Sequence, residues 1–318
     1  MKIAILDDYG NDALGLADWS GLGEVTVFRD TLKDADELAE RLRPFDVLCV
    51  MRERTPLPGS LLERLPHLKL IVTSGPRNLS IDLDIAKRQG ITVCGTELRK
   101  TTTAELTLAL MLAVQRRIVV EANHLASGRW QQGLGRDLAG LTLGLVGLGK
   151  VGQQVAVLAK AFGMQVAAWS QNLTEATCQA HDVAYADSLE GLLAQSDIVS
   201  VHLVLSPRSR GLIGREALRH MRPDACLINT SRGPIIDNVA LLEALRAGWL
   251  GSAAIDVFEE EPLPGEAAIR DQALIDCGRL LLTPHLGYTS QQTFELFYRQ
   301  MVEAIKAWRV GAPIRQLQ

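Results

Sequence analysis

The chain has 318 residues, too many for one typical domain and few for three, so two domains are expected. Lysine and arginine number 33 against 37 aspartate and glutamate, a net charge of −4 without any run of one sign, which argues against nucleic acid or an anionic membrane as partner. The five cysteines, at 49, 94, 178, 226 and 277, show neither C-x-x-C nor Cys/His spacing, so free, mostly structural thiols, a reducing cytoplasmic compartment and no metal site are expected.

Met1-Lys-Ile-Ala-Ile-Leu-Asp-Asp reads as a strand that reaches acids by residue 7, not as a signal peptide, and no apolar run approaches the roughly 18 residues that span a bilayer. Apolar runs at Ile3–Leu6, Val25–Phe28, Asp46–Val50, Leu68–Val72 and Ile91–Val93 predict strands. Helices are expected between them, around 11–18, 34–42, 59–65 and 82–88. Such alternation predicts an α/β domain, a doubly wound parallel sheet covered by helices on both faces. From Thr101 to about Ala126 a single long helical pattern bridges into a second domain, with threonines to cap its start and Gly128 beyond its end.

A second alternation begins at Leu143, with strands near 165–169, 197–203, 225–229, 252–257 and 279–282. Its opening carries Gly147-Leu-Gly-Lys-Val-Gly152, directly after the run Leu141–Val146 and before a helical pattern from Val151 to Phe162. In that context the three glycines make a tight turn, let the backbone approach a pyrophosphate, and let helix and strand pack closely. The diphosphate would sit on the free N–H groups at the helix start, a site made by Gly147, Leu148, Gly149, Lys150, Val151 and Gly152. A last helical pattern, Phe294–Trp308, precedes Gly311 and Pro313, and periodicity does not say where it docks.

In a parallel open sheet, ligands lie beyond the carboxyl ends of the strands, so polar residues there are the natural site candidates. Three strand ends stand out: Asn229-Thr-Ser-Arg-Gly-Pro, Asp256-Val-Phe-Glu-Glu-Glu-Pro and Thr283-Pro-His-Leu-Gly287. An enzyme that reduces a 2-oxo acid with a nicotinamide needs a planar cation for the paired oxygens, and Arg232 suits it. It also needs a group that protonates the carbonyl oxygen, and His285 suits that, with Glu259, Glu260 or Glu261 to orient the imidazole.

These motifs, with the helix opening Thr103-Ala-Glu105, resemble the D-isomer-specific 2-hydroxyacid dehydrogenase family over nearly the whole chain. The resemblance implies two doubly wound domains: a discontinuous, flavodoxin-like substrate domain of 1–100 plus 286–318 and a Rossmann dinucleotide-binding domain of 101–285. It makes Arg232, Glu261 and His285 the catalytic three, since the family's glutamate directly precedes a proline. Asp256 would meet the nicotinamide carboxamide, Thr230 and Ser231 the ribose beside it, and Leu203 and Val204 the adenosine, with Thr103 and Gly287 among the cofactor contacts. Two subunits would pair through their cofactor domains.

Two departures from the family pattern bear on specificity. The acid that usually bonds the adenosine ribose of NAD is missing, and neutral Ser170, Gln171 and Asn172 stand in its place, so use of both NAD and NADP, or a lean to NADP, is expected. The substrate-domain turn of relatives holds a carboxylate on backbone N–H groups, but here it reads Gly75-Pro-Arg-Asn-Leu79, and Pro76 has no N–H. Arg77 is expected to compensate, with Arg52 a second candidate, for a small 2-oxo or 2-hydroxy acid. Alternatives are D-3-phosphoglycerate dehydrogenase specifically, although the sequence stops soon after the last helix, and a corepressor-like protein that senses NAD(H) without appreciable turnover.

Overall fold

Short runs of branched, apolar residues separated by capped helical stretches can bury both faces only as central strands of parallel sheets. In the computed structural model, which describes residues 1–99 and 101–317, the chain makes two such sheets in two compact units, Met1–Arg99 with Thr289–Gln318, and Lys100–Tyr288. In the first unit β1 (Lys2–Ile5), β2 (Glu24–Val27), β3 (Val47–Val50), β4 (Leu70–Thr73) and β5 (Thr92–Gly95) are all parallel, in the order β2-β1-β3-β4-β5. Every residue of β3 and β4 is buried, as strands covered on both faces require. Asp34 and Asp82 start the intervening helices by accepting first-turn N–H groups.

The 19-residue helix Gln291–Arg309 belongs to this first unit. Ser290 caps it, and its buried face carries Phe297, Tyr298, Met301 and Ile305 against β4 and the Ala13–Leu16 helix. Tyr298 meets Trp19 edge-on with ring centres 6.3 Å apart, and the Arg309 guanidinium donates to the Gly21 carbonyl at 2.7 Å.

The second unit is a seven-stranded parallel sheet made of β6 (Thr142–Val146), β7 (Gln165–Trp169), β8 (Ala184–Tyr185), β9 (Ile198–Val201), β10 (Cys226–Asn229), β11 (Ser252–Ile255) and β12 (Leu280–Leu282). Its order, β12-β11-β10-β9-β6-β7-β8, reverses direction between β6 and β9, the switch point where such sheets take their ligands. Side chains alternate between two cores. Leu143, Leu145, Cys226 and Ile228 pack under the helices Thr102–Gln115 and Lys150–Ala161, while Val199, Val201 and Leu227 face Leu192, Leu241 and Leu245 on the other side.

The single long helix expected from Thr101 to Ala126 is two helices, Thr102–Gln115 and Ile118–Ala126. Arg117 takes a left-handed backbone at φ +56° and ends the first, without the glycine or proline that would mark the break in sequence. The strands expected to reach 203 and 257 stop at Val201 and Ile255, so His202, Leu203, Asp256 and Val257 have left the ladder. No helix among the described residues is long and apolar enough to cross a membrane.

Candidate active site

β6 delivers the chain into Gly147, whose φ of +111° suits glycine and whose N–H donates to the Trp169 carbonyl at 2.9 Å. A Cβ at Gly147 would fall 2.7 Å from the His202 carbonyl oxygen, and one at Gly152 only 2.2 Å from that of Gly147. Close backbone packing therefore demands the first and third glycines. A Cβ at Gly149 would meet nothing within 4 Å, so the second glycine keeps open space in front of the helix Lys150–Ala161. That helix begins with no side-chain cap, leaving first-turn N–H groups for an anion. The open space, the uncapped start and the switch-point position fit a dinucleotide pyrophosphate.

Around this turn the other candidates fall at neighbouring strand ends. Beyond β7, Ser170 is half-buried and Gln171 and Asn172 are exposed; Gln171 Nε2 donates to the Arg208 carbonyl at 3.1 Å. Beyond β9, the Leu203 carbonyl accepts the Ser231 hydroxyl, and Val204 is exposed. Thr230 shares a hydroxyl contact of 2.8 Å with Thr107, and Thr103 Oγ1 donates to the Gly287 carbonyl at 2.8 Å. Lys150 is exposed and Val151 half-buried.

The acid–base residues stand beyond β10, β11 and β12. His285 Nδ1 lies 2.5 Å from Glu261 Oε2, and since an ionised carboxylate only accepts, Nδ1 carries the proton. Glu261 Oε1 in turn accepts the Phe258 N–H at 2.9 Å, so the carboxylate is itself aimed. Of the three adjacent glutamates, Glu261 is the one against the imidazole. Glu259 is exposed and pairs with Arg210 at 3.0 Å, and Glu260 is also exposed.

His285 has a left-handed backbone at φ +54°, uncommon for a residue with a Cβ. Asp256 fastens that turn: its Oδ1 accepts the Thr283 hydroxyl at 2.6 Å and the Leu286 N–H at 2.7 Å, and its Oδ2 accepts the Gly287 N–H at 3.0 Å. The residue is fully buried, and burial raises its carboxyl above the usual range although these donors and the nearby imidazole pull it back. This fastening role escaped the sequence, where Asp256 is a polar strand end expected, by the family resemblance, to meet the nicotinamide carboxamide.

Arg232 sits on the turn after β10. Asn229 braces it, donating from Nδ2 to the Arg232 carbonyl at 3.0 Å and accepting the Ser231 N–H at 3.0 Å, while Arg232 Nη1 donates to the Ser231 carbonyl at 2.8 Å. Gly233 lets this turn pack on the next strand end, because a Cβ there would lie 2.2 Å from the Phe258 carbonyl carbon. The stretches that bear Arg232 and Glu261 are thus in backbone contact.

In the first unit the expected substrate residues gather at the ends of β3 and β4. The Arg52 guanidinium covers Gly75, donating to the Ser74 carbonyl at 3.2 Å, with Glu53 3.6 Å away. Asn78 ties the two ends together through the Arg52 carbonyl at 2.6 Å and Thr73 Oγ1 at 2.9 Å. The Gly75 N–H donates to Thr96 Oγ1 at 2.7 Å, and Pro76 has none, so the next amide along is that of exposed Arg77. Sequence reading passed over Asp7, at the end of β1 beside this unit's own switch point. It is buried at φ +59°, accepts from Thr31 at 2.5 Å and Thr55 at 2.8 Å, and is raised by burial; the acid pair directly after the first strand was the available signal.

Residues 108–287 match the family model of the D-isomer specific 2-hydroxyacid dehydrogenase NAD binding domain. The chain is 34% identical over 309 residues to D-3-phosphoglycerate dehydrogenase of Methanocaldococcus jannaschii, covering 96% of this chain but 57% of that one. It is 37% identical over 268 residues to glyoxylate reductase of Thermococcus litoralis, covering 81% and 78%. The crystal structure of phosphoglycerate oxidoreductase from Vibrio cholerae superposes with a TM-score of 0.91 at 36% identity, over 98% of this chain and all of that one. The chain belongs to the D-isomer specific 2-hydroxyacid dehydrogenases, a family of NAD-dependent oxidoreductases acting on 2-hydroxy acids.

Proposed function

We propose that this chain interconverts a small D-2-hydroxy acid and its 2-oxo acid, with His285 as the general acid and base. The observation that carries the reading is the His285–Glu261 pair, aimed by the Phe258 N–H and held on a turn fastened by Asp256, at strand ends of a sheet that fits a dinucleotide. A bound nicotinamide dinucleotide supplies or accepts the hydride at C2 of the acid. Arg232 pairs with carboxylate and carbonyl oxygens through its planar fork and stabilises the charge that develops on the latter. Glu261 holds the Nδ1 proton and orients the ring, so Nε2 is the atom that protonates the carbonyl oxygen during reduction and takes the proton back during oxidation. Asp256, Thr230, Ser231, Leu203, Val204, Thr103 and Gly287 line the nucleotide side, and the first unit by itself offers Arg52 and Arg77 to a carboxylate.

The cofactor reading is dual use, or a lean to NADP, because no acid stands between Gly152 and Glu175 to repel a 2′-phosphate. The subunits pair through the nucleotide-binding unit. Supporting this, Ile118, Val119 and Leu125 of the helix Ile118–Ala126, with Trp130 and Leu134 after it, are exposed apolar side chains. A reducing, cytoplasmic setting suits the five free thiols, four of them buried.

The test is initial-rate oxidation of NADH and NADPH, side by side, against glyoxylate, hydroxypyruvate, pyruvate, phenylpyruvate and 2-oxoglutarate, with D-3-phosphoglycerate oxidation assayed separately. Turnover with at least one acid is expected. Silence across the panel with nucleotide binding intact would favour a nucleotide-sensing role instead.

A further inference from the structure

NAD and NADP differ only at the 2′-oxygen of the adenosine ribose, so a chain that accepts the phosphate should offer a cation near the loop after β7. That loop, Ser170–Thr174, holds neither acid nor base. The sheet order brings a second loop to the same rim, because β7 and β9 flank β6 on either side. Residues 203–214, which follow β9, contain no acid and two arginines. Ser209 stiffens the segment: its hydroxyl donates to the Val204 carbonyl at 2.7 Å and accepts the Ser206 N–H at 2.8 Å, while Gly211 N–H reaches the Pro234 carbonyl at 2.8 Å.

The two loops touch where Gln171 donates to the Arg208 carbonyl. Arg210 is engaged by Glu259, whereas Arg208 is exposed and has no ion-pair partner among the described residues. We infer that Arg208, held against the ribose loop by Gln171, is the ligand for the 2′-phosphate of NADP(H), supplying from the β9 loop the cation that the β7 loop lacks. Arginine suits a phosphate because its fork makes paired, charge-assisted bonds. The assignment rests on the dual or NADP-leaning cofactor reading.

The deciding experiment measures Kd for NADH and NADPH by nucleotide fluorescence, without substrate and at low ionic strength, where an exposed charge pair is least screened. Wild type, Arg208→Ala and Arg210→Ala are compared. The expected results are wild-type affinities within about tenfold of each other or favouring NADPH, a Kd(NADPH)/Kd(NADH) ratio at least tenfold higher in Arg208→Ala, and a ratio changed less than threefold in Arg210→Ala. A hundredfold wild-type preference for NADH would overturn the cofactor reading and the assignment with it. Tight NADPH binding whose ratio Arg208→Ala leaves in place, or which Arg210→Ala shifts as much, would overturn Arg208 alone.

Discussion

His285 is constrained from two directions by different means. Its ring is held by a carboxylate that is itself aimed by a backbone N–H, and its left-handed backbone is held by a buried aspartate that accepts three hydrogen bonds from the same turn. Residues in sparsely populated backbone regions persist where surrounding structure over-determines them, which is what Asp256 does here. His285→Ala removes the proton carrier without touching that fastening. Its kcat should fall at least about a hundredfold, about 2.7 kcal/mol of transition-state stabilisation, with the melting temperature little changed; near-normal turnover would refute the assignment. Motif residues were legible because each is a polar exception at a strand end. Glu261 was singled out among three adjacent carboxylates only by the family pattern of a glutamate before proline, and the fastening by Asp256 and the nearness of Arg208 to Gln171 were not legible, since these depend on how separate loops fold toward one another.

At the scale of elements, the strand–turn–helix from β6 through Lys150–Ala161 separates two tasks that its glycines perform. Gly152 is needed by the fold, and Gly149 by what the fold receives. Gly152→Ala forces a Cβ onto a backbone carbonyl and should cost about 1–3 kcal/mol of stability. Gly149→Ala has an extended backbone at φ −78° and open space for its methyl, so it should melt like wild type yet bind dinucleotide at least tenfold more weakly. Thermal melts paired with nucleotide titration check both, and equal destabilisation by the two substitutions would undo the distinction. Element types were readable because strands buried on both faces leave short continuous apolar runs between helical patterns. The break at Arg117 and the two-residue strand β8 were not, because a left-handed arginine has no local signature and Ala184–Tyr185 is too short to show a period.

At the scale of the whole molecule, apolar side chains left in water need a reason. Leu125 is 60% exposed, Trp130 72% and Leu134 97%, all on or just after one helix of the nucleotide-binding unit. A homodimer using this face should scatter light as twice the 34.7 kDa chain, and Leu125→Glu with Trp130→Glu should shift it to monomer. A wild-type monomer at micromolar concentration would remove the proposal. The last helix gives a different lesson about legibility: an amphipathic face announces that it is buried, but not against what.

That helix also sets an order of events during synthesis. The first sheet emerges from the ribosome within the first hundred residues, yet Phe297, Tyr298, Met301 and Ile305, which complete its core, are made only after the entire second unit. The domain begun first is finished last, and until then the nascent chain carries an uncovered apolar face that holding chaperones would recognise.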